Sequence, residues 1–328
     1  MLVHGAGDNA QDWSYVLPLL GRCCQVLAPD LPGYSPGSTP ASDYSPARLA
    51  RFVARFMDAV GLDRTAVAGN SLGGLAALQL ALSEPERITA LCLVDSAGLG
   101  RAVNPALVVQ RLPGLGELAI AFGRRRPGAA LRAGARAVLL FGRPWRAPRS
   151  WLVEQYRAAR QPGFLEATVA SLCAVLGIFG QRQVLVKRLS GLTVPTLIVW
   201  GTADWVIPLS HGRRAARRLA HGRLVQLSRC GHAPQVECPQ GFADALNRFL
   251  SASPTMPSRK NALLRPRRSR MTCKNAGLHS GKRVIADKDE AAGSSPARPT
   301  IPGLTCANAS PLSPAIAAAR VRRLRTAD

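Results

Sequence analysis

From residue 24 to residue 249, short apolar runs alternate with longer amphipathic stretches. Short apolar runs bounded by turn residues are typical of buried strands, and apolar residues repeating about every 3.6 positions are typical of helices. Strands that alternate with helices form a parallel sheet covered by helices on its faces. We therefore predict an α/β fold with a mostly parallel, doubly wound sheet. The predicted strands are residues 25–28, 65–68, 90–94, 196–200 and 223–227.

The clearest helix start lies at Ser45 and Pro46, an N-cap residue followed by proline at the first helical position. Further helices are predicted over residues 72–82, 208–219 and 240–250. Residues 101–188 interrupt the alternation. They are rich in Gly, Pro and Arg, carry helical apolar patterns at 151–159 and 165–179, and show no clear strand. We expect a helical insertion over one end of the sheet.

The net charge of +24 raises the question of a nucleic-acid partner, but the charge is unevenly placed. Residues 101–188 carry 15 basic and 3 acidic side chains, and residues 251–328 carry 15 and 4. Only five of the 43 basic residues are lysine, which indicates a gene biased toward arginine. No recognition motif or interleaved aromatic pattern accompanies the arginines. We predict no nucleic-acid partner.

After residue 250 the periodicity stops, and Ser, Pro, Arg and Ala dominate. We expect residues 251–328 to be a disordered tail. Residues 293–296 read G-S-S-P, which the T-arm of a transfer RNA gene can encode, so a second hypothesis is read-through into non-coding sequence. No stretch reaches the roughly 20 apolar residues of a membrane span. The eight cysteines contain no C-x-x-C pair, which predicts reduced thiols and a cytoplasmic protein.

Residues 69–73 read G-N-S-L-G, a G-x-S-x-G pattern between a predicted strand and a predicted helix. In that context the turn exposes the serine hydroxyl, which makes Ser71 a candidate nucleophile. The pattern alone is weak, since an ordinary Gly-rich turn has the same letters. Asp204 and His232 each follow a later predicted strand. Because loops at the carboxyl ends of parallel strands gather at one edge, the three side chains can form a Ser-His-Asp triad.

Such chemistry needs donors for the oxyanion that develops on the attacked carbonyl. The backbone N–H of Leu72, at the start of its helix, is one candidate. The second is the backbone N–H of Ala6, within residues 4–7, which read H-G-A-G. His4 in this loop is expected to be a scaffold residue. The reaction requires no metal and no organic cofactor.

Taken together, these motifs resemble the α/β-hydrolase family over residues 2–250. The motifs are H-G-A-G at 4–7, D-L-P-G-Y-S at 30–35, G-N-S-L-G-G at 69–74, G-T-A-D at 201–204 followed by Pro208, and G-H-A-P-Q-V-E at 231–237 followed by Pro239. The resemblance implies an eight-stranded, mostly parallel sheet built from residues 1–100 and 189–250. It also implies that residues 101–188 are a cap, with a small-molecule substrate held between cap and triad.

The leading functional hypothesis is a serine hydrolase that cleaves an ester, a thioester or a related acyl bond. Asn70-Ser71 and residues 93–98 are also similar to carbon-carbon hydrolases of ring-cleavage products, which is the first alternative. The second is a non-catalytic protein of this fold. Asp95 could tune the site, although a strand-end capping role is the simpler interpretation. The arginines of the cap could attract an anionic substrate through their electric field. The simpler interpretation is that these arginines lie on solvated helix faces.

In the family, two strands and most of a third precede the H-G-x-G loop, whereas only three residues precede it here. We expect that roughly 25 further residues belong upstream. Such a stretch could also hold a signal peptide, which bears on the predicted cytoplasmic location. No oligomeric state is predicted.

Overall fold

The computed structural model describes residues 1–21, 24–220 and 222–252. Its main sheet contains five strands, β1 (Leu2–Val3), β2 (Thr65–Asn70), β3 (Ile88–Val94), β6 (Thr196–Gly201) and β7 (Gly222–Leu227). They are all parallel and lie in the order β1-β2-β3-β6-β7. This confirms the predicted α/β class, with five strands in the main sheet of the described residues against the eight that the resemblance implied.

Eleven α-helices occur in the described residues. Those outside the helical segment (residues 101–188) are α1 (Leu17–Leu20), α2 (Pro46–Ala59), α3 (Leu72–Ser83), α9 (Leu209–Ala216), α10 (Pro234–Glu237) and α11 (Pro239–Ala252). Those inside it are α4 (Pro105–Val109), α5 (Leu115–Gly123), α6 (Arg126–Leu140), α7 (Arg149–Ala159) and α8 (Phe164–Val175). None of the described helices is both long and apolar enough to cross a membrane.

The side chains of β3 show what covers each face of the sheet, because all seven of its residues are buried. Leu91 and Leu93 belong to the apolar cluster that contains the buried side chains of α2 and α3. Cys92 and Val94 belong to a second cluster, which contains those of α1 and α11. Successive side chains of a strand point to opposite faces, so helices cover both faces of the sheet. A continuous apolar strand is what this double cover requires.

Ser45 caps α2 as expected, since its hydroxyl accepts a hydrogen bond from the Arg48 N–H and Pro46 opens the helix. The predicted strand at residues 25–28 is wrong. Within that stretch, a single backbone hydrogen bond joins it to β1, from Leu2 N to Leu27 O at 2.8 Å. Because β1 is only two residues long, it offers no further backbone groups with which residues 25–28 could pair as a strand.

No clear strand was expected in the helical segment, and this expectation is wrong. Helix α8 ends at Val175, and a short antiparallel hairpin follows, formed by β4 (Leu176–Gly177) and β5 (Gly180–Gln181). Gly180 has a φ of +97°, a conformation open to glycine and strained for other residues. The apolar run therefore turns instead of continuing as a helix. The expectation for residues 251–328 falls, from residue 253 onward, outside the described residues.

Candidate active site

Ser71 lies in the turn between β2 and α3 with φ +53° and ψ −115°, outside the regions that non-glycine residues ordinarily occupy. The close packing of this turn holds the strained backbone in place. A Cβ on Gly69 would lie 2.3 Å from the carbonyl oxygen of Gly73, and a Cβ on Gly73 would lie 2.3 Å from that of Val3. Only glycine fits at either position. The turn therefore presents the serine at the carboxyl edge of the sheet.

Asp204 and His232 lie at the same edge, in the loops after β6 and β7, and they are in direct contact. His232 Nδ1 is 2.8 Å from Asp204 Oδ2. The other oxygen, Oδ1, accepts hydrogen bonds from the backbone N–H groups of Val206 and Ile207 at 2.7 and 3.0 Å. The Asp204 side chain is fully buried, and that of His232 is 5% exposed. The carboxylate is thus fixed through one oxygen and orients the imidazole through the other.

The side chains of Asn70 and Glu237 hold the His232 loop. Asn70 donates from Nδ2 to the carbonyl oxygen of His232 at 3.0 Å. The Glu237 carboxylate accepts hydrogen bonds from three backbone N–H groups, those of Gly231, Gly142 and Arg143. Glu237 ends the G-H-A-P-Q-V-E motif on which the resemblance rests, but no role for its carboxylate followed from the sequence. Its partners on the helical segment become visible only in the fold.

Asp95 lies beside the pair and is fully buried. Its Oδ1 accepts a hydrogen bond from the Gly201 N–H at 2.9 Å. Burial, and then the nearby charge of Asp204, raise the pKa of Asp95 well above its ordinary value. The carboxyl group therefore keeps its proton at pH values where an exposed aspartate is ionised. Both roles considered for Asp95 fit these contacts, since Oδ1 caps the end of β6 at Gly201 and the carboxyl group lies near Asp204.

A metal ion could be held by three side chains here, since each offers one ligand atom and these atoms lie within 4.8 Å of one another. They are those of Asp95, Asp204 and His232. However, Nδ1 of His232 and Oδ2 of Asp204 are hydrogen-bonded to each other. A cation that took both atoms as ligands would have to replace that bond.

The H-G-A-G loop packs against Ser71, because a Cβ on Gly5 would lie 3.2 Å from the Ser71 Cβ. His4 is fully buried and supports the loop: Nδ1 is 2.8 Å from the Gly5 carbonyl, and Nε2 is 2.8 Å from the Leu31 N–H. This arrangement puts the proton on Nδ1, where it is donated to Gly5, and leaves Nε2 as the acceptor from Leu31. Burial lowers the pKa of His4, which keeps the ring neutral. Both candidate oxyanion donors are near Ser71, since Ala6 follows Gly5 and Leu72 begins α3.

Ser71, His232 and Ala6 share a cavity of about 420 Å³. Most of its wall comes from apolar side chains of the helical segment, among them Ile120, Leu131, Leu139, Leu165 and Leu172. The charged residues in the wall are Asp8, Arg132 and Arg136. The structure thus brings the candidate nucleophile, base and oxyanion loop to one apolar cavity.

Residues 1–245 match the sequence profile of the alpha/beta hydrolase family. The chain belongs to the alpha/beta hydrolase family. Among solved structures, this alpha/beta hydrolase is similar to a hydrolase from Pseudomonas aeruginosa PA01, with a TM-score of 0.62 and 29% identity. That likeness covers 76% of this chain and 89% of the other.

Among curated relatives, the chain is 31% identical over 251 residues to the dihydrolipoyllysine-residue acetyltransferase component of the acetoin cleaving system of Cupriavidus necator. The match covers 76% of this chain and 63% of that protein, so this alpha/beta hydrolase spans less than two thirds of the relative's length. It is also 28% identical over 263 residues to 2-hydroxymuconate semialdehyde hydrolase of Pseudomonas sp. strain CF600, covering 76% and 86% of the two chains.

Proposed function

We propose that this alpha/beta hydrolase is a serine hydrolase that cleaves an ester, a thioester or a related acyl bond. The observation that carries the proposal is the buried pair of His232 and Asp204 at the cavity that also contains Ser71. An imidazole oriented by a carboxylate beside a serine at a strained turn is the arrangement that activates a hydroxyl as nucleophile.

In the proposed cycle, the Ser71 Oγ attacks the substrate carbonyl while His232 Nε2 takes the hydroxyl proton. Asp204 accepts a hydrogen bond from His232 Nδ1–H and stabilises the imidazolium. The backbone N–H groups of Ala6 and Leu72 bind the oxyanion. His232 then gives its proton to the leaving group, which departs from the acyl-enzyme. Water, activated by the same imidazole, releases the acid and restores Ser71.

We propose that residues 101–188 act as a cap on a core formed by residues 1–100 and 189–250. The apolar cavity wall that the helical segment supplies supports this division. A volume of about 420 Å³ suits a small-molecule substrate with a short or medium carbon chain.

The second candidate is hydrolysis of a carbon-carbon bond in a ring-cleavage product. The similarity to 2-hydroxymuconate semialdehyde hydrolase favours it, together with the resemblance of the Asn70-Ser71 pair and residues 93–98 to such hydrolases. A non-catalytic protein of this fold is the remaining alternative. The two enzymatic candidates differ in substrate and can be separated by assay.

The first experiment is labelling with a fluorophosphonate probe, which reacts with activated serines. The wild-type protein is expected to label and Ser71→Ala is not. Ser83→Ala is the matched control, since Ser83 ends α3 and its hydroxyl bonds only the backbone carbonyls of Gln79 and Leu80. Labelling that survives in Ser71→Ala would refute the nucleophile, and an unlabelled wild type would favour a non-catalytic protein.

The second experiment compares p-nitrophenyl esters of varied chain length with a dienoate ring-cleavage product. Ester turnover that is lost in Ser71→Ala supports the leading proposal. Turnover of the dienoate without any ester hydrolysis would transfer the proposal to carbon-carbon cleavage.

We also propose a reducing, cytoplasmic location. Cys92, Cys173, Cys230 and Cys238 are thiols without a disulfide, and unpaired cysteines are typical of reducing compartments. Fractionation of cells that express the tagged protein tests the location directly.

A further inference from the structure

Arg132, on α6, contributes a guanidinium to the cavity wall. Its hydrogen bonds go to uncharged oxygens: Nη1 donates to Gln155 Oε1 at 3.3 Å, and Nη2 donates to the Gly7 carbonyl at 3.5 Å. Within residues 1–21, 24–220 and 222–252, no carboxylate forms an ion pair with Arg132. A guanidinium has five N–H donors, so several remain for a ligand in the cavity.

The carboxylate of Asp8 is engaged by a different arginine. Asp8 forms an ion pair with Arg136, one helical turn along α6 from Arg132. Burial, and then the charge of Asp8, raise the pKa of the neighbouring Asp12 well above its ordinary value. Among the described residues, neither of these two carboxyl groups forms an ion pair with Arg132.

Burial and the charge of Arg136 lower the pKa of Arg132 to about 9. The side chain is therefore still charged at neutral pH. A cation removed from water without an anionic partner is unfavourable, and a bound anion relieves that penalty. A ligand with a carboxylate at this position is therefore expected to bind more tightly than a ligand without one.

The guanidinium lies on the oxyanion loop itself. A Cβ on Gly7 would be 3.1 Å from Arg132 Nη2, and a Cβ on Gly5 would be 3.2 Å from the Ser71 Cβ. The chain from Gly5 to Gly7 spans at most about 7 Å. An anion on Arg132 would thus be only a few carbon atoms from a carbonyl group held at Ser71.

We propose that the cavity binds acyl substrates that carry a second, ionised carboxylate, and that Arg132 pairs with this carboxylate while the apolar wall holds the connecting carbon chain. The inference rests on the proposed function, because it assumes that the scissile carbonyl lies at Ser71. Monoesters of short dicarboxylic acids are the simplest members of the class. A dienoate ring-cleavage product shares the carboxylate and would use the same guanidinium.

The test uses the full-length protein and two series of p-nitrophenyl esters with equal acyl lengths. One series is the mono-p-nitrophenyl esters of succinate, glutarate and adipate; the other is p-nitrophenyl butyrate, pentanoate and hexanoate. The variants are Arg132→Gln, Arg132→Lys and Arg126→Gln. Arg126 is the matched control, since it is exposed at the start of the same helix.

We expect the wild type to prefer the half-ester at one chain length by tenfold or more in kcat/KM. Arg132→Gln is expected to reduce kcat/KM for that half-ester about 10- to 100-fold, mainly through KM, because a hydrogen bond to a charged group is lost. The loss for the neutral ester of the same length should be at least about tenfold smaller, and thermal unfolding of the variant shows separately that it is folded. Arg132→Lys should recover part of the preference, and Arg126→Gln should retain all of it.

Equal kcat/KM values for the two series in the wild type would overturn the proposal. So would an equal loss on both series in a folded Arg132→Gln. If Arg132→Gln does not fold, the wild-type comparison and Arg132→Lys decide the matter.

A binding measurement separates this proposal from the hydrolase proposal. Ser71→Ala, which cannot turn over, is titrated with monomethyl adipate and with methyl hexanoate by calorimetry. Tighter binding of monomethyl adipate, abolished by adding Arg132→Gln, supports the carboxylate site even if fluorophosphonate labelling fails. Equal or absent binding of both esters overturns the site, and labelling of Ser71 would leave the hydrolase proposal intact.

Discussion

The Nδ1 atom of His232 lies 2.8 Å from Oδ2 of Asp204, although 27 residues separate the two in the chain. The Oδ1 atom of the same carboxylate is held by the N–H groups of Val206 and Ile207. One oxygen is therefore anchored to the turn after β6 and the other is directed at the imidazole. This asymmetry makes the carboxylate an orienting group for His232.

Asp204→Asn is expected to reduce kcat about 10³- to 10⁴-fold, because an amide NH₂ facing Nδ1 would favour the wrong tautomer of His232. KM should change little, since Asp204 does not contact the substrate in the proposed cycle. Ester hydrolysis under saturating conditions measures both. Asp244→Asn is the control, since Asp244 accepts a surface hydrogen bond from Gln240. An Asp204→Asn protein with unchanged kcat would remove Asp204 from the proposed triad.

Asp95→Asn is expected to become more stable relative to the wild type as the pH rises from 4 to 8. Burial raises the pKa of Asp95, so the folded protein binds a proton that the unfolded chain releases near pH 4. Stability from such a group is complete below the unfolded pKa and is lost as the pH rises toward the folded pKa. Asparagine has no proton to lose. Urea unfolding across this range measures the difference, and a constant gap at every pH would contradict the assignment.

Gly73→Ala is expected to destabilise the protein by about 3 kcal/mol or more, because the new Cβ would meet the backbone of Val3 and His4 and neither can move aside. Gly134→Ala on α6 is the matched control. Nothing lies within 4 Å of a Cβ there, and alanine favours a helix by about 1 kcal/mol, so this variant should be more stable. Thermal unfolding compares the two. If both substitutions had the same effect, the close approach of the serine turn to β1 would be in doubt.

Cys238 is expected to react with iodoacetamide faster than an ordinary thiol below pH 9. A hydrogen bond from the Cys230 thiol, followed by smaller contributions that include Arg143, lowers the pKa of Cys238 despite its partial burial. Cys92 should stay unreactive in the folded protein, because it is fully buried and burial raises its pKa.

Cys230→Ala and Cys238→Ser make the alkylation test specific. Cys238→Ser should remove the fast phase, which mass spectrometry can follow at a series of pH values. Cys230→Ala has no side-chain donor, so it should shift the pH profile of Cys238 upward if the thiol hydrogen bond is the main cause. An unchanged profile in Cys230→Ala would contradict that cause.

The alternation of apolar runs was enough to predict the α/β class, because strands covered on both faces must be continuously apolar, as β3 is. The helix cap at Ser45 was also predictable, because the Pro46 that follows it marks the first helical position of α2. The segment 25–28 shows the limit of this approach. A strand exists only where a neighbour offers backbone partners, and the apolar pattern of the segment carries no information about that neighbour.

For the site, the amino-acid sequence shows which residue types follow each strand, and parallel topology then predicts that Ser71, Asp204 and His232 gather at one edge. The surroundings of these three residues follow from the packing of the folded chain. The contacts of Asp95, Glu237 and Arg132 could not be predicted from the local sequence, since an aspartate at a strand end or an arginine on a helix looks the same whether solvated or buried. Their roles come from contacts across as many as 125 residues, such as that of Arg132 with Gly7. Burial and unpaired charge depend on the packing of distant segments, which spacing along one chain does not encode.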